Sequence, residues 1–490
     1  MLDSSRTFTV GRATGGYGFR LGPLLVPWLP AAAVFAVAGL AILSPVESDT
    51  WLALVAGRET WRHGLPSHEV LTSLAHGRAW VDQAWLGQVA LYAAYSVGGM
   101  GAVAIAGRLA ATLAAVLAVA TAAQRRASPV ACTLALLFGF SLLAGRTELR
   151  PQLLAEPLFA ALLWLLADDV RRPSARILWA APLVLVVWAN VHGSVLLGCA
   201  LVLLRVGFAL VAYVRRRPSP PLRRSGWLAL VALAAPFASP YGPRVVRYYD
   251  SVVGNGAFRD YLSEWWPTTP TNAPLAFLLI VWIVGLVAWQ RRAVHPFDGA
   301  VLVATAAGAL VGQRHVVWFA LATIAFLPGI LDGILPVAFS PRRLRAAPAL
   351  CLVGALLGAA ALTRLATGGD GSLTAAYPRA ANAVVTAAQH DPRSGILAST
   401  RLADWLLFEQ PALAGRIAVD GRFELLTESE FTRYVETVGG STRLATAFPG
   451  TRILVLDSDQ ILASRSRRQP GARVVGSEAA MVVITLARAA

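Results

Sequence analysis

The chain has 490 residues, of which 56% are hydrophobic and only 14% charged, a balance that excludes an ordinary soluble protein. Its net charge of +16 comes from 43 basic residues that are all arginine; many cluster in short loops between apolar runs, where they read as topology signals and not as a nucleic-acid surface. The absence of lysine also excludes Schiff-base and P-loop lysine chemistry.

Apolar stretches near the roughly 20 residues needed to cross a bilayer recur from Pro23 to Thr363. Arg6, Arg12 and Arg20 precede the first, Pro23–Leu43. That run is longer than a cleaved signal core, so it reads as an uncleaved signal anchor. About eleven spans are expected, near 23–44, 101–124, 129–145, 152–168, 177–190, 194–214, 226–238, 274–289, 298–312, 316–335 and 347–363. With the N-terminus in the cytoplasm, the inner loops carry 18 arginines and the outer loops nine. The positive-inside rule predicts that asymmetry. Cys132, Cys199 and Cys351 all lie inside apolar runs, without metal-ligand spacing, and read as small packing residues.

The first outer loop, 45–100, is long. Its segments 49–64 and 80–97 read as interfacial helices, with Trp80, Trp85, Tyr92 and Tyr95 at headgroup depth. The punctuation of 80–97 by Asp82, Gln83 and Gln88 argues against a further span. Beyond Thr363 the character changes. GGDGS at 368–372 reads as a linker, and residues 364–490 alternate expected strands (Gly395–Ala398, Arg416–Val419, Arg452–Leu456) with expected helices (Asp404–Glu409, Glu428–Val438, Asp459–Arg465). The expected architecture is therefore mostly α: a polytopic helical bundle over 1–363 and a small extracytoplasmic α/β domain over 364–490. That second domain shows no phosphate loop and no catalytic cluster, so packing or acceptor docking is its expected role.

Ionisable groups at membrane depth are costly, so their placement is informative. In this threading they collect, together with the polar Asn190, at outer ends of spans: Glu47 and Asp49; Arg146, Glu148, Arg150 and Glu156; His192; Arg244, Arg247, Asp250, Asp260 and Glu264; Arg314 and His315. Simpler roles compete with a site. Arg78, Arg244 and Arg259 suit interfacial anchoring, Glu148 and Arg150 suit a structural ion pair, and Arg108 and Arg205 suit pairing with buried acids. The chemistry that fits the whole set is transfer from a lipid phosphate. Guanidiniums grip phosphate oxygens bidentately, and a carboxylate takes the proton of an incoming hydroxyl.

Glu47–Ser48–Asp49 at the start of the long first outer loop resembles the modified DxD motif of the GT-C superfamily, polytopic glycosyltransferases that use polyprenyl-phosphate sugars. Asp49–Thr50–Trp51, Gly57, His63–Gly64, Pro66, Gly77–Arg78–Ala79–Trp80–Val81–Asp82 and Trp85–Leu86 resemble a bacterial GT-C-like group. So do Arg150–Pro151–Gln152, Trp188–Ala189–Asn190–Val191–His192–Gly193, Ser239–Pro240–Tyr241–Gly242, Glu264–Trp265 and Asp420–Gly421–Arg422. The sequence departs from that group at Glu47, Leu52 and Ala53. The resemblance implies an inverting glycosyltransferase of the cell envelope, multi-pass in the plasma (inner) membrane. Its partners would be membrane lipids, a polyprenyl-phosphate sugar and an extracytoplasmic glycan, lipid or protein acceptor. Asp49 would be the catalytic carboxylate, as base or metal ligand, with Glu47 in the other acidic slot of a divalent cation such as Mg or Mn. Arg150, Arg146 and Arg314 would hold the donor phosphate. Glu47, Asp82, Glu148, Asn190, His192, Arg247, Glu264 and His315 would line the substrate pocket. Two other classes stay open at this point: a transporter or flippase, kept in view by Arg108 and Arg205, and a non-catalytic envelope-assembly scaffold.

Overall fold

The computed structural model describes residues 46–143, 148–334, 356, 359–360, 363, 371, 373–379 and 381–487. The first expected span, most of the last, and Arg146 lie outside these residues. The expected spans between 129 and 335 are helices: α3 (Pro129–Leu143), α4 (Pro151–Arg171), α5 (Ile177–Val191), α6 (Val195–Val214), α7 (Leu222–Ala234), α10 (Pro274–Trp289), α11 (Pro296–Val311) and α12 (Val316–Ile334). Proline stands in the first turn of α4, α10 and α11, where a missing N–H costs nothing. Short helices α8 (Val245–Val253) and α9 (Ala257–Tyr261) lie between α7 and α10. Three helices, Trp85–Gln124, Val195–Val214 and Gln313–Ile334, are long and apolar enough to cross a membrane, and four more are apolar but shorter. The described residues therefore do not yield eleven full-length spans.

The expected first outer loop forms the two expected helices, α1 (Ser48–His63) and the start of α2 (Trp85–Gln124). Non-helical backbone at Gly98 and Gly99 (φ 62, ψ −156 at Gly99) splits α2, so its first part is a separate segment before the expected span at 101–124. Only glycine adopts that second conformation without cost. The aromatics expected at headgroup depth are instead engaged inside the protein. Trp80 is 3% exposed and lies under the Arg422 guanidinium, 4.4 Å from carbon to ring centre. Trp85 donates to Asn190 Oδ1 at 2.9 Å, and Tyr95 meets Phe408 edge-on at 4.9 Å. Helix α1 is equally occupied: Trp51, Ala53–Ala56 and Arg58 are buried. A Cβ at Gly57 would come within 2.3 Å of the Gln88 carbonyl, so α1 and α2 approach at a distance only glycine permits.

The C-terminal region contains α13 (Asn382–His390), α14 (Thr400–Glu409), α15 (Glu428–Val438), α16 (Leu444–Ala447) and α17 (Ile461–Arg467) around a four-stranded sheet. Strand order is β1 (Gly395–Ala398), β2 (Thr451–Asp457), β4 (Met481–Thr485), β3 (Arg473–Glu478). The first pair is parallel, the others antiparallel. Residues 416–419, expected to be a strand, form only isolated bridges from Ile417 to Ile396 and to Thr72 of the outer loop. The hairpin β3–β4 was not expected from the sequence. One apolar core is shared by α1, α2, α13, α14 and strands β1, β2 and β4. Arg58 of α1 also donates to the Leu407 and Phe408 carbonyls at 2.7 Å each, binding the end of α14. Outer loop and C-terminal region thus pack as one body.

Candidate active site

Arg150 caps the N-terminus of α4 in extended backbone, with Pro151 opening the helix behind it. Its Nη1 lies 3.1 Å from Asp49 Oδ2, 3.1 Å from Glu148 Oε2 and 2.9 Å from Glu264 Oε2. Three separate segments therefore deliver carboxylates to one guanidinium. Glu264, in a 3₁₀ turn at Ser263–Trp265, also faces Arg314 at 3.6 Å, and Arg314 stacks on Trp265 at 4.3 Å. A Cβ at Gly87 would meet the Val191 carbonyl at 2.7 Å and Pro151 Cβ at 3.0 Å. That close approach brings the start of α2 against the ends of α4 and α5, and so gathers Asp82, Arg150 and His192.

Electrostatics follow from this crowding. Burial pulls the Arg150 guanidinium toward neutrality, but Asp49, Glu264 and Glu148 outweigh it and hold the cation firmly charged. Burial pushes Glu148 up to about 7, against the pull of Arg150 and with help from Asp49, Glu47 and Glu264. Glu264 stays below its ordinary value because Arg314 and Arg150 overcome burial. His192 is pushed down to about 3 by burial and by Arg314 and Arg150, so it is a neutral imidazole. The Ser194 backbone N–H donates to its Nδ1 at 3.2 Å, which leaves Nε2 as the N–H donor.

These groups surround a cavity of about 400 Å3. Of the residues expected at the site, Glu47, Asp49, Asp82, Glu148, Arg150, His192, Glu264 and Arg314 line it. The other described ones are placed elsewhere. Asn190 is a structural lock: its amide donates to the Val186 and Ala238 carbonyls at 2.8 and 2.7 Å while its oxygen accepts from Trp85. Arg247 lines an adjoining cavity of about 550 Å3 that shares only Tyr248 and Glu424 with the first. His315 follows Arg314 without lining either cavity; burial and Arg314 push it down to about 4. Arg78 is no interfacial anchor, since both its terminal nitrogens bind Glu430, at 2.7 and 2.6 Å.

The C-terminal region, expected to serve packing or acceptor docking, forms part of the cavity wall. Gly421, Phe423 and Glu424 line the cavity, and burial pushes Glu424 up to about 7. Asp404 of α14, fully buried, accepts from Ser48 Oγ at 2.5 Å and from the Gly421 N–H at 3.2 Å, tying the acidic motif to this region. Behind it Arg422 binds Glu69 at 2.7 Å and Asp420 at 2.9 Å. The Asp420–Gly421–Arg422 triplet was the sequence signal for this contribution. Glu424 itself carried none.

The acidic pair expected for a divalent cation does not fit that role as arranged. Asp49 is engaged by Arg150, and among the described residues no three His, Cys, Asp or Glu side chains converge as a metal shell.

No family model matches the chain, and no curated protein matches it in sequence. Solved structures match it in fold. The crystal structure of ArnT from Cupriavidus metallidurans bound to undecaprenyl phosphate is 14% identical, with a TM-score of 0.52 over 95% of this chain and 98% of that one. Its apo form gives 13%, 0.51, 94% and 97%. The fold is GT-C-like. A mycobacterial arabinofuranosyltransferase, AftD, aligns over 94% of this chain and 40% of its own at 17% identity and a TM-score of 0.47.

Proposed function

We propose that the chain is an inverting glycosyltransferase that moves a sugar from a polyprenyl-phosphate donor to an extracytoplasmic acceptor. The observation that carries this reading is one cavity in which two guanidiniums, Arg150 and Arg314, stand beside Asp49 at the end of the helical bundle. Undecaprenyl phosphate in the similar ArnT structure supports the donor class.

Arg150 and Arg314 hold the donor's phosphate, whose negative charge grows as the sugar–oxygen bond breaks. Asp49 takes the proton of the acceptor hydroxyl as its oxygen attacks the anomeric carbon from the opposite face. The electron pair of the broken bond leaves on the lipid phosphate, and configuration inverts. Neutral His192 offers Nε2–H as a hydrogen-bond donor without adding charge. Glu148 competes with the phosphate for Arg150 only while ionised. The division of the chain at about residue 363, with residues 364–490 outside the membrane, belongs to the same proposal, since Glu424 must meet a donor presented at the outer headgroup layer.

The transporter reading loses support at its own evidence. Arg205 pairs with Asp169 at 2.9 Å, and Arg108 interacts electrostatically with Glu156. Replacing Asp49 by Asn, which keeps the shape and removes the base, is expected to lower transfer by about 10² to 10⁴-fold. The assay measures sugar transfer or release from a panel of polyprenyl-phosphate sugars by purified protein. A fully active variant would remove Asp49 from the chemistry.

A further inference from the structure

The wall facing the cavity from the outer loop has an unusual balance of hydrogen-bonding atoms. Asp82 is 3% exposed, Gln83 2% and Gln88 9%. All three line the cavity. Asp82 Oδ2, Gln83 Oε1 and Gln88 Oε1 are each buried without a hydrogen-bond partner in the protein. The two amide orientations are fixed by their other ends: Gln83 Nε2 donates to the Ala189 carbonyl at 3.0 Å, and Gln88 hydrogen-bonds the Asp82 carboxyl. Unpaired buried polar atoms are expensive, and native proteins retain few of them without cause. These three are acceptors; Asp82 and Gln83 lie just before α2 and Gln88 in its first turn. Gly193 packs closely against this wall: a Cβ there would fall 3.1 Å from Gln83 Oε1.

We infer that this wall is the sugar subsite and that it selects a neutral sugar with free hydroxyls over an acidic one. The inference rests on reading the cavity as the transfer site. A hydroxyl admitted to this wall can donate to the orphan oxygens, whereas a carboxylate offers no proton and sets its charge against the buried Asp82 carboxyl and that of Glu424. Sites built to hydrogen-bond a hydroxyl reject analogues without it because their own polar groups are then left unpaired. The cavity thus offers guanidiniums for the phosphate and unpaired acceptors for hydroxyls.

The test measures binding by calorimetry of the full chain in detergent. The probes are citronellyl phosphate and matched citronellyl-phosphoryl pairs: glucose and glucuronate, mannose and mannuronate, galactose and galacturonate. The neutral member should bind about 10-fold or more tightly than its uronate. The gap should narrow in Asp82→Asn, which places a donor where an orphan acceptor stands. If citronellyl phosphate binds but uronates bind as well as neutral sugars, or the gap survives in Asp82→Asn, the subsite assignment fails while the phosphate reading stands. If citronellyl phosphate itself does not bind, both fall.

Discussion

At the residue scale the decisive fact is that Arg150 serves three carboxylates with one nitrogen. Charge balance there depends on pH, because Glu148 is raised to about 7 by burial. Below that value Glu148 is protonated and no longer competes with the phosphate for Arg150; above it the carboxylate competes. Donor affinity should therefore fall as pH rises through about 7, by roughly fivefold, the worth of a partly exposed ion pair. Glu148→Gln should flatten the profile. Titrating donor binding in both proteins checks it, and an unchanged slope in the variant would assign the titration to another group. The charged members of the site were legible in sequence because acids and arginines at the ends of apolar runs stand out against hydrocarbon. Gln83 and Gln88 carry no charge and were read only as breaks in hydrophobicity. Trp80 and Tyr95 were assigned to the interface because sequence cannot distinguish an aromatic facing headgroups from one packed under Arg422 or against Phe408.

At the element scale, glycine contacts set the spacing of the helices. Gly87→Ala would drive a methyl into the Val191 carbonyl and Pro151. Overpacking of this kind costs roughly 1–3 kcal/mol, so the thermal midpoint in detergent should drop. Donor affinity should weaken with it, because Arg150 and His192 flank the contact. Retention of both would show that α2 shifts without consequence. Helices α3 to α7 and α10 to α12 were foreseen because each apolar run is bounded by proline, glycine or arginine; the short α8 and α9 were not. Strands β3 and β4 were not. Their connecting turn uses Ala479 at φ 51 in place of the glycine or asparagine that normally marks a hairpin.

For the whole molecule, the C-terminal region and the outer loop share a core and a charge cluster. Arg422, fully buried, is the cation on which Glu69 and Asp420 depend and which faces Asp82 electrostatically. Arg422→Ala should cost about 3–5 kcal/mol, the penalty of leaving buried charges without a partner. Unfolding followed through the C-terminal region and the helical bundle should show both parts weakened together; a loss confined to the C-terminal region would mean the two are energetically separate. The sequence marked Asp420–Gly421–Arg422 but not what it joins, because Glu69 and Arg422 lie 353 positions apart and the polar tail showed no cluster of its own.

The central claim is that Arg150 and Arg314 hold a lipid phosphate beside Asp49. An electron cryomicroscopy map of the full chain with citronellyl phosphate tests it most directly. The account predicts phosphate density within hydrogen-bond distance of the Arg150 guanidinium, in the cavity between Asp49 and Arg314. Phosphate bound elsewhere, with Arg150 still engaged by Asp49, Glu148 and Glu264, would contradict it.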